Sequence, residues 1–303
     1  MLKHKSIRHF LSFAVRRLHL WPVITKMGLL SSYHHIRFPD TILYLDVVIT
    51  ECCTLRCRDC ANLMQYYHHP ENLDIEETIT ALRLLLRVFR IKQLKILGGE
   101  PFVCQDSLSK LLVFLHGEAI DRIDEIVIIS NGTIIPTEKC WDTIMNTPKL
   151  KLLFSNYGSL SSQMDTVTDI CRRKKVEYSI VEDEYWCDFG ELKTRHEKES
   201  KTQYRYAACY SRRDCTTLYR GKLYVCPRQA HGVHLGYVPE DCTESVDLAL
   251  PEYKEPDRLR SEVYHLIDRK QYISACRSCG LDADSLIPRA LQAERPIDVD
   301  RTS

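Results

Sequence analysis

The sequence from residue 42 to residue 60 reads ILYLDVVITECCTLRCRDC. Its first half, Ile42–Thr50, is rich in β-branched and aliphatic residues and carries one charge, which predicts a mostly buried β-strand. Its second half places Cys53, Cys57 and Cys60 in one loop directly after that strand, with the spacing C-x3-C-x2-C. Three thiolates from one tight loop suit an iron–sulfur cluster, since such clusters are held by cysteine thiolates.

Helix and strand patterns alternate after this loop. Asp74 and Glu77 form a capping pair that predicts a helix start, and a leucine-rich run follows them. Further strands are predicted at Leu94–Leu97, Ile123–Ser130, Leu150–Ser155 and Val176–Val181, with helices at Leu108–Leu115, Pro136–Met145 and Ser161–Arg173. This repetition predicts an α/β fold with a parallel sheet, curved or closed, whose site lies at the carboxyl ends of the strands.

The second predicted strand ends in the string Leu97-Gly98-Gly99-Glu100-Pro101. The two glycines allow a ligand to lie against the backbone, and Glu100 offers a carboxylate that accepts a hydrogen bond from an ammonium group. Alone, such a string is an ordinary strand-to-helix turn. Because the string lies one β-α unit after the cysteine loop, it is expected to lie at the same carboxyl edge of the sheet.

The cysteine loop after the first strand and the GGEP string after the second resemble the two most specific motifs of the radical S-adenosylmethionine superfamily. The resemblance covers residues 41–181 and implies a partial (β/α)6 TIM-like barrel. It implies that Cys53, Cys57 and Cys60 hold a 4Fe-4S cluster whose open iron is chelated by the methionine part of S-adenosylmethionine. The cofactor contacts that it implies are Gly98, Gly99, Glu100, Pro101, Ser130 and Asn131, with Ser155 as a weaker candidate.

The sequence departs from this family at one position. Asp59 stands where the family often has an aromatic residue that packs near the adenine, which puts the adenine contact in doubt but not the cluster. A structural zinc site with Cys52 as the fourth ligand is the alternative for the cysteine loop.

A second group of cysteines lies in the later part of the chain. Cys209 precedes Gly221 by twelve positions, and Gly221 precedes Cys226 by five. Cys276 and Cys279 close the group as a C-x2-C pair after a predicted helix, Arg258–Lys270. A β-hairpin is predicted between these cysteines, with strands Thr216–Tyr219 and Lys222–Val225 joined by Arg220-Gly221.

This spacing resembles the opening of SPASM and twitch domains, which are C-terminal extensions of radical enzymes that carry auxiliary 4Fe-4S clusters. The shorter twitch form matches better, because no cysteine follows Cys279. The resemblance implies Cys209, Cys226, Cys276 and Cys279 as ligands, with Cys215 as a substitute for Cys209. A zinc ribbon built from the same four cysteines is the alternative. The remaining cysteines are interpreted as packing residues or bystanders: Cys52, Cys104, Cys140, Cys171, Cys187 and Cys242.

Length and composition bound the remaining possibilities. The 303 residues suit a basic arm at 1–40, a barrel at 41–200 and a twitch-type domain at 201–303. A formal net charge of +1 gives no overall attraction to nucleic acid. The 14 cysteines, without a signal-peptide or membrane-span pattern, predict a reducing cytoplasm. The arm is interpreted as a helix packed on the main domain, with contact to an anionic membrane or a partner as the alternative.

The two predicted clusters indicate an enzyme that abstracts hydrogen from a small molecule, such as a sugar, cyclitol or nucleotide-linked sugar, and oxidises it through the auxiliary cluster. Arg228, His231 and Asp188 are the candidates for proton transfer in that step. A flavodoxin or ferredoxin is the expected electron donor. The alternatives are a peptide-modifying maturase, which the short arm disfavours, and a non-catalytic zinc-binding protein.

Overall fold

The structure is a computed structural model that describes residues 40–182 and 184–297. The predicted arm, apart from Asp40, lies outside the described residues. The strands are β1 (Thr41–Val48), β2 (Arg90–Leu97), β3 (Ile126–Ser130), β4 (Leu150–Ser155), β5 (Tyr178–Val181), β6 (Tyr185–Asp188), β7 (Thr216–Tyr219), β8 (Lys222–Tyr224), β9 (Ser245–Asp247) and β10 (Asp282–Pro288). The helices are α1 (Ile75–Val88), α2 (Gln105–Phe114), α3 (Glu138–Met145), α4 (Met164–Lys174), α5 (Glu199–Ala208), α6 (Ser211–Asp214), α7 (Pro227–His234) and α8 (Pro256–Ile267).

Eight of these strands form one sheet in the order β5-β4-β3-β2-β1-β7-β8-β9. From β5 to β7 every neighbouring pair is parallel, whereas β8 and β9 are antiparallel to their neighbours. The predicted α/β fold with a parallel sheet is therefore present. Its closure into a partial barrel stays a prediction.

Local sequence explains the first β-α unit. Val47 and Val48 of β1, which point to opposite faces, are both fully buried, as expected for a parallel strand covered on both faces. The side chain of Asp74 caps α1 by accepting a hydrogen bond from the Glu76 N–H at 2.9 Å, so the predicted helix start is confirmed. Because the strands run parallel, their carboxyl ends meet at one edge of the sheet, and the cysteine loop leaves β1 at that edge.

The predicted hairpin is present, and its turn residues Arg220 and Gly221 both have positive φ, at 48° and 68°. Its first strand, β7, pairs in parallel with β1, from Leu45 opposite Thr216 to Val47 opposite Leu218. The boundary predicted between residues 200 and 201 therefore divides strands of one sheet. Pairing between strands so far apart in sequence leaves no local pattern, which explains why it was not expected.

Two further features were not predicted from the sequence. Strands β6 and β10 pair antiparallel in a small sheet of their own. No helix within residues 40–182 and 184–297 combines the length and the apolar character that crossing a bilayer requires.

A pair of substitutions on α2 tests the packing of helix against sheet. Leu111 is fully buried, whereas Val113 on the same helix is 65% exposed. Leu111→Ala is expected to lower the free energy of unfolding by about 3 kcal/mol, because it removes buried methyl groups and leaves a cavity. Val113→Ala, the matched control, is expected to change it by less than about 0.5 kcal/mol. Urea denaturation followed by circular dichroism measures both, and equal effects would contradict the described packing.

Candidate functional site

The chain that follows β2 lies directly against the cysteine loop. The Gly99 N–H donates to the Thr50 carbonyl and the Glu100 N–H donates to the Cys52 carbonyl, both at 2.8 Å. A Cβ atom on Gly98 would lie 2.2 Å from the Thr50 oxygen, and one on Gly99 would lie 2.2 Å from the Cys52 oxygen. Only glycine fits here, because the protein's own backbone occupies the space that a side chain would need.

The three thiols of the loop are close to one another and partly buried. Burial raises the pKa of Cys53 to about 12 and that of Cys57 to about 11, and the Cys60 thiol adds to both increases. Burial also raises the pKa of Cys60. Within the described residues, no three His, Cys, Asp or Glu side chains are arranged to hold a single metal ion. The three thiols therefore influence one another without forming a site for one ion.

Backbone N–H groups surround two of these sulfur atoms. The Leu55 N–H donates to Cys53 Sγ at 3.5 Å. The N–H groups of residues 62–64 lie close enough to the Cys60 thiol to oppose the rise in its pKa. N–H donors stabilise a thiolate and are among the groups that set the properties of thiolate-bound clusters. This donor set fits a cluster held by cysteine.

The Glu100 side chain is fully buried and its carboxylate contacts the protein itself. One oxygen accepts from the Phe102 N–H at 3.1 Å, and the other accepts from the Asn131 N–H at 2.7 Å and the Ser130 hydroxyl at 3.2 Å. Burial raises the pKa of Glu100 to about 7, although these hydrogen bonds oppose the rise. The carboxylate thus ties the end of β2 to the loop after β3, a role that differs from the predicted contact with a ligand ammonium group.

The other predicted cofactor contacts lie along the same edge. Asn131 Nδ2 lies 3.7 Å from Cys53 Sγ and donates to Thr54 Oγ1 at 3.1 Å. Pro101 is buried and begins the short 3-10 turn after β2. Ser155, the last residue of β4, is half-buried, and its carbonyl accepts from the Ser161 hydroxyl at 3.3 Å.

Sequence analysis did not identify two residues that lie next to the cysteine loop. Burial raises the pKa of the Tyr157 phenol, and the thiols of Cys57, Cys60 and Cys53 raise it further, so this phenol is near all three. Its ring packs edge-on against Trp186 with centroids 5.6 Å apart. Gln292 Nε2 donates to Cys57 Sγ at 3.2 Å. Tyr157 follows β4 by two residues and could have been expected from its place at the strand end, whereas nothing in the sequence marked Gln292.

The second group of cysteines also converges. Burial raises the pKa of Cys226 well above its ordinary value, and Cys276, Cys209 and Cys279 each raise it further. The predicted substitute, Cys215, is instead influenced by Asp46 and Lys95 of the sheet. The structure therefore brings the four preferred cysteines together and places Cys215 in different surroundings.

Helix starts lie at two of these four thiols. Cys226 is the N-cap residue of α7, and the nearby Gln229 N–H opposes the rise in its pKa, as the N–H groups of Ser211 and Arg212 do for Cys209. Helix N-termini favour thiolates through these unpaired donors and the helix dipole. The second group therefore has the same type of donor environment as the first.

Arg228 and Asp188 lie near the Gly190 turn. Arg228 is 4% exposed, and its Nη2 donates to the carbonyls of Gly190 at 2.7 Å and Ser278 at 3.2 Å. Asp188 is half-buried at the end of β6 and accepts from the Gly190 N–H at 2.6 Å.

His231 belongs to a separate buried network. It is fully buried, and its Nδ1 lies 2.7 Å from the hydroxyl of Tyr67, which lies 3.2 Å from the hydroxyl of Tyr219. The Tyr219 hydroxyl donates in turn to Glu51. Burial lowers the pKa of His231 to about 3, so the imidazole is neutral at physiological pH.

The buried carboxyl of Glu100 gives a pH-dependent test of the site. Its folded pKa of about 7 lies above its ordinary value of 4.5, so its contribution to stability is fully present below pH 4.5 and is lost as pH rises to 7. The free energy of unfolding of the wild type, relative to Glu100→Gln, is expected to fall by about 3 kcal/mol between pH 4.5 and 7.5.

Urea denaturation at a series of pH values measures this difference. Glu177→Gln, which replaces an exposed glutamate, is the matched control. A difference for Glu100→Gln that changes with pH no more than the control difference would contradict the buried carboxyl described above.

Comparison with known proteins adds a partial sequence relationship. No protein-family model matches the chain. A GTP 3′,8-cyclase of Pelotomaculum thermopropionicum is 33% identical over 98 residues, which is 32% of this chain and 29% of the relative. An S-adenosylmethionine-dependent nucleotide dehydratase of Fibrobacter sp. is 32% identical over 90 residues, 28% of this chain and 26% of the relative. The chain thus spans less than a third of the length of these curated relatives.

Solved structures give a distant likeness. The crystal structure of BtrN in complex with AdoMet and 2-DOIA aligns with 86% of this chain and 97% of its own, at 15% identity and a TM-score of 0.44. The sequence relatives support the predicted link to the radical S-adenosylmethionine superfamily, and the C-terminal extension stays a prediction.

Proposed function

We propose that the chain is a radical S-adenosylmethionine enzyme that oxidises a small-molecule substrate, with Cys53, Cys57 and Cys60 holding the cluster that binds the cofactor. One observation carries the proposal: the thiol loop after β1 and the Gly98–Glu100 backbone after β2 are hydrogen-bonded to each other at the carboxyl edge of a parallel sheet. When bound, this cluster and S-adenosylmethionine supply a 5′-deoxyadenosyl radical, and an auxiliary cluster supplies an electron acceptor.

The residues around the loop have distinct roles in this proposal. The backbone of Gly98–Glu100 binds the amino group of the cofactor, while the Glu100 carboxylate holds the Asn131 loop in position from behind. Tyr157 lies near the three thiols and packs on Trp186. We assign Tyr157 the adenine contact that Asp59 does not provide, because an aromatic ring stacks on a base through its π-face.

The auxiliary cluster is assigned to Cys209, Cys226, Cys276 and Cys279. Their mutual influence on pKa supports a common site, as do the helix-start N–H groups around Cys209 and Cys226. Cys215 is left out of this assignment because its thiol is close to Asp46 and Lys95.

Asp188 is the proton acceptor that the geometry favours. Oxidation of an alcohol removes a hydrogen atom, a proton and an electron from the substrate, so a base is needed beside the site. Asp188 lies near Asp59 of the cysteine loop, whose pKa it raises, and it remains partly accessible. His231 is fully buried and hydrogen-bonded to Tyr67, which makes it a poorer candidate. The curated relatives are a GTP 3′,8-cyclase and a nucleotide dehydratase, which favours a nucleotide-linked substrate over a peptide.

Iron content and cofactor cleavage test the proposal directly. Anaerobic reconstitution is expected to load about eight irons per chain, and dithionite with S-adenosylmethionine is expected to release 5′-deoxyadenosine. The triple variant Cys53→Ala/Cys57→Ala/Cys60→Ala should lose about four irons and all cleavage. Cys209→Ala/Cys226→Ala should lose about four irons and keep cleavage. Cys242→Ala removes an exposed thiol as the control. A zinc-loaded protein without 5′-deoxyadenosine would overturn the proposal.

Tyr157 gives a test of cofactor binding. Tyr157→Ala is expected to weaken the binding of S-adenosylmethionine about tenfold, because the loss of an aromatic contact costs about 1.4 kcal/mol. Tyr157→Phe keeps the ring and should bind nearly as well as the wild type. Isothermal titration of the reconstituted protein measures the affinity, with the exposed Tyr204→Ala as the control. Equal affinity for Tyr157→Ala and Tyr204→Ala would remove Tyr157 from the cofactor site.

A further inference from the structure

Arg228 carries a positive charge where the described part of the chain offers no carboxylate to pair with it. The residue is 4% exposed, and within residues 40–182 and 184–297 no Asp or Glu oxygen lies within ion-pair distance of its guanidinium. Other arginines held in the fold do have such partners: Arg205 pairs with Glu197, and Arg220 pairs with Glu51 at 2.8 Å. A buried charge without a counter-charge is strongly unfavourable, so Arg228 requires one.

The contacts of the guanidinium place it beside the second group of cysteines. Its two hydrogen bonds go to neutral carbonyls, those of Gly190 and Ser278, and its Nε is buried without a partner among the described residues. Ser278 directly precedes Cys279, and Arg228 itself follows Cys226 by two positions.

The acidic side chains of this region do not supply the missing charge. Asp59 and Glu191 act on the same Tyr66 hydroxyl as Arg228, so they lie in the neighbourhood. Glu191 is exposed and pairs with Lys193 at 2.9 Å, and the charge of Arg58 acts on Asp59. Asp188 accepts the Gly190 N–H at 2.6 Å and makes no ion pair with Arg228 within residues 40–182 and 184–297. A cluster bound by the thiolates of the second group would place negative charge next to Arg228, because such a cluster is anionic.

We propose that Arg228 is the counter-cation of the second cysteine site, offsetting the negative charge that a thiolate-bound cluster brings into this buried region. The inference rests on the proposed function, because it requires a cluster at that site. It replaces the predicted role of Arg228 in proton transfer: a guanidinium does not lose its proton in proteins, and its Nη2 donates to carbonyls of the chain. Since reduction adds negative charge to a cluster, a fixed cation beside it makes reduction easier.

Redox titration of the reconstituted protein tests this role. Midpoint potentials of both clusters are measured by electron paramagnetic resonance in the wild type, Arg228→Gln, Arg228→Lys and Arg277→Gln. Arg277 is the matched control, because it lies between Cys276 and Cys279 in sequence but is exposed and pairs with Glu199 at 3.0 Å. Arg228→Gln is expected to shift the potential of the auxiliary cluster to a more negative value. Arg228→Lys should restore most of the shift, and Arg277→Gln should leave this potential close to the wild type.

Each outcome decides the inference. If Arg228→Gln carries full iron and has the same potentials as Arg277→Gln, Arg228 is not the counter-cation. If Arg228→Gln folds by circular dichroism but does not retain iron while Arg228→Lys does, a requirement for charge is supported. Loss of iron in Arg228→Lys as well would overturn the inference in favour of hydrogen-bond geometry. A wild type that loads no iron would instead defeat the proposed function itself, so the two failures are distinguishable.

Discussion

The close approach of two backbone segments at the carboxyl ends of β1 and β2 determines the rest of the site. Hydrogen bonds from the N–H groups of Gly99 and Glu100 continue the pairing of the two strands beyond their last residues. A side chain at either Gly98 or Gly99 would collide with the cysteine loop. Because this contact fixes the loop after β1, it also sets the direction in which Glu100 reaches toward β3. The thiols, the Asn131 loop and the ring of Tyr157 all take their positions from it.

Three buried charged groups in this fold are stabilised in three different ways. Glu100 is surrounded by N–H and O–H donors and still has a raised pKa, because these hydrogen bonds do not fully offset its burial. Glu51 receives the Tyr219 hydroxyl and a charged partner, Arg220, at 2.8 Å. Arg228 has only carbonyl acceptors. Of these three groups, Arg228 is therefore the one whose charge has no ion-pair or charged hydrogen-bond partner among the described residues.

Features that depend on neighbouring residues were predictable from the sequence. The N-cap at Asp74 and the turn at Arg220-Gly221 follow from local chemistry, and both agree with the structure. The pairing of β7 with β1 was missed because it joins distant segments. The hydrogen bonds of Glu100 to the Asn131 loop were not predicted for another reason: a carboxylate at a strand end has the same sequence whether it faces a ligand or a neighbouring loop. Gln292 reaches Cys57 from the far end of the chain, and no spacing rule connects them.

The same pairing of β7 with β1 explains why Cys215 and Cys209 have different surroundings although they are close in sequence. Lys95 of β2 pairs with Asp46 of β1 at 3.0 Å and donates to the Asp214 carbonyl at 2.6 Å, which anchors the chain just before β7 to the sheet. Cys215 directly follows Asp214 in this anchored segment. Burial and Asp46 raise the pKa of its thiol, and Lys95 lowers it. Cys209 lies before the anchor, at the end of α5, where it is free to join the other thiols.

Because β7 and β1 belong to one sheet, the chain segments leading to both groups of cysteines start from neighbouring strands. Backbone hydrogen bonds between these two strands therefore contribute to the relative position of the two groups.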